Sequence, residues 1–320
     1  MAEQNPLPST PADHGGDLAR AMARYGGARD TWLDLSTGIN PVPYPLPDLP
    51  GHRWTARPDA DLLGRAEAAA RACWDVPDGL EVVFAGGASA LIAALPGELA
   101  AGTVEVVTRT YNEHARAFAR DGWDVRAVGE TTGTAEVCVV VTPNNPDGRQ
   151  PVARARALAI VDESFADVRV GASGSYGLGR IVLKSFGKFW GLAGLRLGAA
   201  SAPPDLAEAL RMRLGPWAAS GPALHIAAAA LMDQAWIAAT QARIAEDAAR
   251  LDALMQHPGV ERVGGAGLFT TYDVANAGAL HTRLAERRIW TRIFPYSDRW
   301  IRLGLPGTEA DWSRLREALA

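Results

Sequence analysis

Two lysines, Lys184 and Lys188, stand out because the chain uses arginine almost everywhere else. Of the 32 basic residues in the 320-residue sequence, only these two are lysine, and they lie four positions apart. A guanidinium stays protonated, whereas a lysine amine can lose its proton and add to a carbonyl. Lys188, within the run Lys184-Ser-Phe-Gly-Lys188-Phe-Trp-Gly-Leu-Ala-Gly-Leu-Arg196, is therefore the candidate for a Schiff base. The competing interpretation is a pair of ordinary surface lysines.

Groups that could bind a phosphate follow two short apolar runs. Residues 82–84 lead into Gly86-Gly87-Ala88-Ser89, a glycine turn entering a predicted helix, where backbone N–H groups and the helix dipole favour an anion. Residues 181–183 lead into the lysine segment, where Ser185 and Arg196 could contact the same phosphate. A glycine turn before a helix is more often a simple turn, so the first signal is weak alone.

Two further apolar runs end in side chains that could hold a heterocyclic ring. Residues 137–141 precede Thr-Pro-Asn-Asn-Pro-Asp-Gly, in which Asn145 could donate to a phenolate oxygen or serve only the turn. Residues 158–161 precede Asp162, which should be partly buried and so needs a cationic or N–H partner. A protonated pyridine nitrogen would supply that partner, and a structural hydrogen bond is the alternative.

The elements that must position these groups alternate between short β-branched runs and helical segments. This pattern predicts an α/β protein: a three-layer α/β/α large domain with a mostly parallel sheet, plus a smaller α+β domain. Ligands of such sheets bind beyond the carboxyl ends of the strands. We expect residues 1–50 to form an N-terminal arm or part of the small domain, and residues 51–220 the large domain. Residues 221–320 would supply a long linking helix, 221–255, and the C-terminal small domain, ending in an exposed amphipathic helix, 309–319.

Composition narrows the class of protein. The net charge of −4 gives no sign of a nucleic-acid partner or an anionic membrane surface. The sequence has no long apolar run of the kind that spans a membrane, and its polar, proline-bearing start does not look like an export signal. Cys73 and Cys138 lack metal-ligand spacing, so no metal site is predicted and a reducing, cytoplasmic location is expected.

Together and in this order, the four segments resemble the fold-type-I pyridoxal-phosphate enzymes, the aspartate aminotransferase superfamily, over roughly residues 30–310. The resemblance implies pyridoxal 5'-phosphate as cofactor and Lys188 as the residue that binds it covalently. Asp162 would pair with the pyridinium nitrogen, Asn145 would bind the ring's O3′, and Tyr111 would stack on the ring.

The same resemblance implies residues for the anionic groups. The cofactor phosphate would be bound by Ala88, Ser89, Ser185 and Arg196. Arg302, in Trp-Ile-Arg-Leu-Gly, matches the arginine that binds the substrate's α-carboxylate, an anion whose planar shape suits a guanidinium. The superfamily also implies a homodimer with active sites at the subunit boundary.

The N-terminal half carries a narrower resemblance, to the threonine-phosphate decarboxylases of cobalamin biosynthesis. It rests on Asp-His14-Gly-Gly-Asp and on the run Leu-Ser-Thr-Gly38-Ile-Asn40-Pro. His14 and Arg292 would hold a substrate phosphate, and Gly38, Asn40 and Asn145 would also contact substrate. Many aminotransferases have a tyrosine at the position of Phe165, and the phenylalanine found here fits the decarboxylase branch instead.

Two features depart from the pattern. The turn Gly87-Ala88-Ser89 lacks the larger polar residues often found at the cofactor phosphate. The tyrosine that commonly reaches across the dimer is missing from residues 56–59, where Arg57, or Trp54 nearby, could substitute. The second departure concerns the part of the site that a second subunit would supply.

Three functions follow from these interpretations. The first is decarboxylation of L-threonine O-3-phosphate to 1-aminopropan-2-yl phosphate. The second is an aminotransferase of the histidinol-phosphate type, which would need an amino acceptor and release no CO2. The third is a catalytically idle assembly partner, against which the full set of cofactor residues argues.

Overall fold

The computed structural model describes residues 15–169, 174–177 and 179–320. Its α-helices are α1 Leu18–Tyr25, α2 His52–Thr55, α3 Ala60–Trp74, α4 Ala88–Ala94, α5 Glu113–Arg120, α6 Pro204–Leu214, α7 Gly221–Met232, α8 Gln234–Leu254, α9 Ala277–Glu286 and α10 Glu309–Leu319. Its strands are β1 Leu33–Asp34, β2 Glu81–Ala85, β3 Thr103–Val107, β4 Asp124–Val128, β5 Val137–Val141, β6 Leu158–Asp162, β7 Arg180–Ser185, β8 Gly198–Ala202, β9 Glu261–Gly265, β10 Phe269–Asp273, β11 Ile289–Trp290, β12 Arg292–Phe294 and β13 Ser297–Gly304.

The large sheet has the strand order β2-β8-β7-β6-β5-β3-β4. Neighbours from β7 through β4 pair in parallel, and β8 runs antiparallel to both β2 and β7. The prediction of an α/β fold with a mostly parallel sheet is therefore confirmed. Because parallel strands end at one edge, β5, β6 and β7 deliver the residues that follow them to the same place.

Both faces of the large sheet are covered. Successive residues of a strand point to opposite faces, so Val83 and Ala85 belong to one apolar core while Val82 and Phe84 belong to another. The first core also holds residues of α4, α5 and α6, and the second holds residues of α3 and α7. The result is the three-layer arrangement expected from the sequence.

The C-terminal part forms a smaller antiparallel sheet of order β12-β13-β10-β9. β1 pairs in parallel with β11, so that Leu33 lies opposite Ile289 and the N-terminal segment is tied to this part of the molecule. The exact boundaries at residues 50 and 220 stay a prediction. The helices of the described ranges include none that is both long and apolar enough to cross a membrane.

The predicted long helix over residues 221–255 was wrong in one respect, because it is two helices. α7 ends at Met232 and α8 begins at Gln234, with Asp233 between them. The Asp233 carboxylate accepts a hydrogen bond from the backbone N–H of Trp236 at 3.0 Å and another from the Tyr44 hydroxyl at 3.4 Å. An N-cap aspartate stabilises a new helix start, and neither glycine nor proline marks the break.

Candidate active site

A cavity of about 1260 Å³ lies at the carboxyl ends of the parallel strands. Its wall includes Asp162 at the end of β6, Ser185 at the end of β7, and Arg302 on β13 of the smaller sheet. This is the position that the open α/β arrangement predicts for a ligand. The cavity is therefore built from both sheets, with residues from distant parts of the sequence.

Lys188 lines this cavity on the loop that follows β7. Its backbone carbonyl accepts hydrogen bonds from the N–H groups of Asn40 at 3.0 Å and Gly191 at 3.1 Å, which fixes the base of the side chain. Burial of the amine, together with the positive charges of Arg302 and Arg196, lowers the pKa of Lys188 to about 8. About a tenth of such amines are neutral at pH 7, far more than for a free lysine. Lys188 can therefore act as a nucleophile and as a proton carrier.

Lys184 has a different environment, although it comes from the same segment. Its amine is buried 3.0 Å from Glu163 Oε2 and 2.9 Å from Asp167 Oδ1. Burial alone would lower the pKa of Lys184, but these two carboxylates outweigh it and raise the pKa above its usual range. Lys184 is therefore a permanently charged structural residue, whereas Lys188 lines the cavity with an amine of lowered pKa.

Asp162 is 3% exposed and faces the cavity. Its Oδ2 lies 2.8 Å from His114 Nε2, and its Oδ1 accepts from the Ser164 backbone N–H at 2.9 Å. Burial opposes ionisation, yet the hydrogen bonds from His114 and Ser164 hold the pKa of Asp162 below its usual value. A buried carboxylate that stays charged is suited to bind a protonated ring nitrogen.

The groups predicted to bind a phosphate meet at one end of the cavity, whose wall includes Ala88, Ser89, Ser185 and Arg196. Gly87, just before α4, has a φ of +92° and packs against Arg196 so closely that a Cβ there would lie 2.7 Å from a guanidinium nitrogen. Only glycine allows that turn and that contact together. The backbone of the turn and the guanidinium thus form a pocket for one anionic group.

Tyr111 and Asn145 also line the cavity, as predicted. Burial raises the pKa of Tyr111, so its hydroxyl remains protonated. The Asn145 side-chain oxygen accepts a hydrogen bond from Arg302. Its NH₂ group is then the part left to donate to a ring oxygen.

Arg292 and Arg302 lie directly opposite each other on the antiparallel strands β12 and β13, and both line the cavity. Arg302 is 5% exposed, and it donates to the Ser36 carbonyl at 2.6 Å as well as to Asn145. Burial and the positive charge of Arg292 lower the pKa of Arg302 to about 10. Paired like charges on adjacent strands repel each other, and an anionic ligand would relieve that repulsion.

Gly38 lines the cavity too, and it has no room for a side chain. A Cβ there would lie 2.7 Å from the Phe269 ring and 2.9 Å from the Phe165 ring. Phe165 and Phe269 contact each other edge to face, and the Lys188 amine lies 5.3 Å from the centroid of the Phe165 ring. The apolar wall beside the lysine is therefore closely packed.

One predicted substrate residue, Asn40, is not among the described residues that line the cavity. Asn40 is buried outside the cavity wall, where its side chain donates to the Phe189 carbonyl at 2.9 Å and accepts from Arg243 at 2.5 Å. Its side-chain NH₂ group thus bonds to the lysine segment, and its contact with substrate stays a prediction. His14 lies outside the described residues; the next residue, Gly15, lines the cavity.

Sequence reasoning missed His114 and Ser36. His114 lies in the first turn of α5, and the available signal was its place on that amphipathic helix close to Tyr111. Ser36 was part of a quoted motif but received no role, because its backbone carbonyl rather than its side chain meets Arg302.

Comparison with known proteins agrees with this geometry. The family model for aminotransferase class I and II matches residues 75–319, and the chain therefore belongs to that family. It is 41% identical to a threonine-phosphate decarboxylase from a Sinorhizobium species, covering 98% of both chains. It is 40% identical to the threonine-phosphate decarboxylase of Pseudomonas aeruginosa, covering 96% of this chain and 97% of that one. A solved histidinol-phosphate aminotransferase from Sinorhizobium meliloti, in complex with pyridoxal-5'-phosphate, superimposes with a TM-score of 0.78 at 17% identity over 94% and 93% of the two chains.

The cofactor is pyridoxal 5'-phosphate, and the residues around the cavity fit it. Lys188 would supply an amine of lowered pKa for the aldehyde, and Asp162 would supply a charged carboxylate for the ring nitrogen. The glycine turn and Arg196 form a pocket for the phosphate that a Cβ at residue 87 would narrow. The amine, the carboxylate and the anion pocket thus suit the aldehyde, the ring nitrogen and the phosphate of the cofactor, respectively.

Proposed function

We propose that this protein is a pyridoxal-phosphate-dependent decarboxylase that converts L-threonine O-3-phosphate to (R)-1-aminopropan-2-yl phosphate and CO2 in cobalamin biosynthesis. The observation that carries the proposal is the Arg292–Arg302 pair, in which two guanidiniums face the cavity from opposing positions of adjacent strands. A small substrate with two anionic groups suits such a pair, and the similarity to threonine-phosphate decarboxylases supports a carboxylate and a phosphate as those groups.

In this proposal the two arginines divide the substrate between them. Arg302, oriented by Ser36 and Asn145, binds the α-carboxylate. Arg292 binds the phosphate, with His14 as a second proposed ligand. Holding the substrate at both ends would fix the orientation of its Cα in the cavity, so that binding energy from remote groups would select the bond that breaks.

When bound, the cofactor supplies a protonated ring that accepts the electron pair left on Cα as the carboxylate leaves as CO2. Asp162 keeps the ring nitrogen protonated, because its own pKa is held low by His114 and Ser164. Lys188 Nζ, which lines the cavity, would donate a proton to the substrate's Cα. One C–C bond breaks, one C–H bond forms, and no amino acceptor is required.

The decisive experiment is to incubate the purified protein with O-phosphothreonine and measure CO2 without any keto acid. Release of CO2 supports decarboxylation, whereas amino transfer that needs 2-oxoglutarate would support the histidinol-phosphate type of aminotransferase. The Lys188→Ala variant should release no CO2. Arg292→Ala should lower kcat/KM for the phosphorylated substrate by roughly 100-fold, as expected for one lost charge-assisted contact; unchanged turnover would refute its role.

We also propose a homodimer. Leu63, Met212 and Trp217 line a second cleft of about 520 Å³ at the surface, and Met212 and Trp217 are 75% and 54% exposed. The guanidinium of Arg57 lies 4.5 Å from the centroid of a Trp217 ring. Exposed apolar side chains grouped in this way are typical of an interface. Sedimentation of Met212→Glu should show a monomer where the parent protein sedimented as a dimer; a parent monomer would refute the proposal.

We also propose a cytoplasmic location. Cys73 and Cys138 are both free thiols, as expected in a reducing compartment. Fractionation of the source cells, with the protein recovered in the cytoplasmic fraction, would test it.

A further inference from the structure

The chain at Gly15 and Gly16 packs tightly against Ser36. A Cβ on Gly15 would lie 2.2 Å from the Ser36 carbonyl oxygen, so any side chain there would displace that carbonyl. The Gly16 N–H donates to the Ser36 hydroxyl at 2.7 Å, and Gly16 has a φ of +90°. The segment that leads into α1 thus packs against Ser36 through contacts that only glycine allows.

Ser36 is itself held in place from the other side. Asp34 Oδ1 accepts from the Ser36 N–H at 2.9 Å and from the Ser36 hydroxyl at 2.6 Å. Ser36 is 1% exposed, so these hydrogen bonds form away from water, where an unmade bond is costly. The residue has little freedom to rotate.

The carbonyl that Gly15 contacts is the same carbonyl that orients Arg302. Arg302 donates to the Ser36 oxygen at 2.6 Å, while its other terminal nitrogen donates to Asn145. Its Nε is buried without a hydrogen-bond partner among the described residues. Two of its three nitrogens therefore set the plane of the guanidinium, and a shift of the Ser36 carbonyl would turn that plane.

From these contacts we infer that Ser36 is a positioning residue. It links the packing of Gly15 and Gly16 beside the cavity to the orientation of the Arg302 guanidinium. The Ser36 hydroxyl binds the Gly16 N–H beside the cavity, and the Ser36 carbonyl orients the Arg302 guanidinium. The effect on substrate rests on the proposed function, because it takes Arg302 as the ligand of the substrate carboxylate. The contact between Ser36 and the glycines does not depend on that assignment.

Three variants test the coupling. Ser36→Ala removes the hydroxyl and keeps the carbonyl, whereas Gly15→Ala places a methyl group against the carbonyl. Gly64→Ala on α3 is the matched control, because a Cβ there would meet nothing within 4 Å. Should Gly15→Ala fail to fold, Ser36→Ala carries the test, since it adds no atoms.

The first measurement is amide hydrogen exchange of the peptide spanning residues 15–25 in the holoenzyme without substrate. We expect roughly fivefold faster exchange in Ser36→Ala and a larger increase in Gly15→Ala, as the loss of one buried hydrogen bond implies. Gly64→Ala should exchange like the parent protein. Parent-like exchange in both Ser36→Ala and Gly15→Ala would overturn the inference.

The second measurement separates the carboxylate from the rest of the substrate. In Ser36→Ala, kcat/KM for O-phosphothreonine should fall at least tenfold, while the inhibition constant of the product amine phosphate, which has no carboxylate, rises less than threefold. Equal losses for the two ligands, or none, would overturn the coupling to Arg302. A parent protein that releases no CO2 would instead refute the proposed function and leave the exchange measurement standing.

Discussion

The imidazole Nε2 of His114 lies 2.8 Å from the Oδ2 of Asp162, with both side chains buried. An ionised carboxylate only accepts hydrogen bonds, so Nε2 carries the hydrogen in this pair. The histidine comes from α5 and the aspartate from the end of β6, so two elements of the large domain meet behind the cofactor site. His114 would therefore act on the cofactor through Asp162.

Replacing His114 should make the Asp162 carboxylate easier to protonate. In His114→Ala we expect the pKa of Asp162 to rise and kcat/KM to fall by about tenfold, the effect of one hydrogen bond to a charged group. The visible spectrum of the bound cofactor, followed against pH, should change at a higher pH than in the parent protein. His257→Ala, an exposed histidine in the loop after α8, is the control, and an equal effect there would contradict the assignment.

The lowered pKa of Lys188 predicts how cofactor loading depends on pH. Because the neutral amine is the nucleophile, the loading rate should rise with pH through a midpoint near 8, the value to which its surroundings lower it. Arg302→Gln removes a positive charge and should raise the midpoint, and Asp162→Asn removes a negative charge and should lower it. Stopped-flow absorbance measures the rates, and shifts of the same sign in both variants would exclude this electrostatic origin.

Substitution of Lys184 should lower the stability of the protein, whereas substitution of Lys188 should change it little. Lys184→Met leaves Glu163 and Asp167 buried without their cation, which should lower the free energy of unfolding by roughly 3–5 kcal/mol. The raised pKa of Lys184 means that its stabilisation is complete at pH 7 and is lost only in strong alkali. Lys188→Met should leave the cofactor-free protein within about 1 kcal/mol of the parent. Urea denaturation of the two cofactor-free variants checks both values.

Gly87 gives a prediction about cofactor affinity. Gly87→Ala places a Cβ 2.7 Å from the Arg196 guanidinium and strains a φ of +92°, so the phosphate pocket must open. We expect at least a tenfold weaker affinity for pyridoxal phosphate, or about 1.4 kcal/mol, measured by fluorescence titration. Gly79→Ala, whose Cβ would meet nothing within 4 Å, should bind as the parent does.

Much of the fold and of the site could be predicted because the relevant signals are local. Asn145, Asp162 and Lys188 each follow an apolar run that the structure shows to be a strand, and parallel strands bring their ends together. The break at Asp233 could not be predicted, because an alanine-rich run without glycine or proline indicates one continuous helix. What ends it is a cap that is also bound by Tyr44, 189 residues away.

The side-chain contacts of Asn40 show the same limit. Asn40 lies in a motif that suggested substrate contact, yet its side chain meets Phe189 and Arg243, which come from distant parts of the chain. His114 lies 48 residues from Asp162, a pairing that depends on how α5 packs beside the sheet. A linear pattern reports the residue types that a site needs, but such pairings follow only from tertiary packing.

Ser36 and Arg302 are bonded although 266 residues separate them. Closing so large a loop is slow compared with local pairing. During synthesis the large sheet and Lys188 can therefore assemble before the C-terminal strands are made. Arg302 is one of the charges that make the Lys188 amine reactive. Lys188 therefore acquires this part of its electrostatic surroundings only when the C-terminal strands have packed against the large sheet.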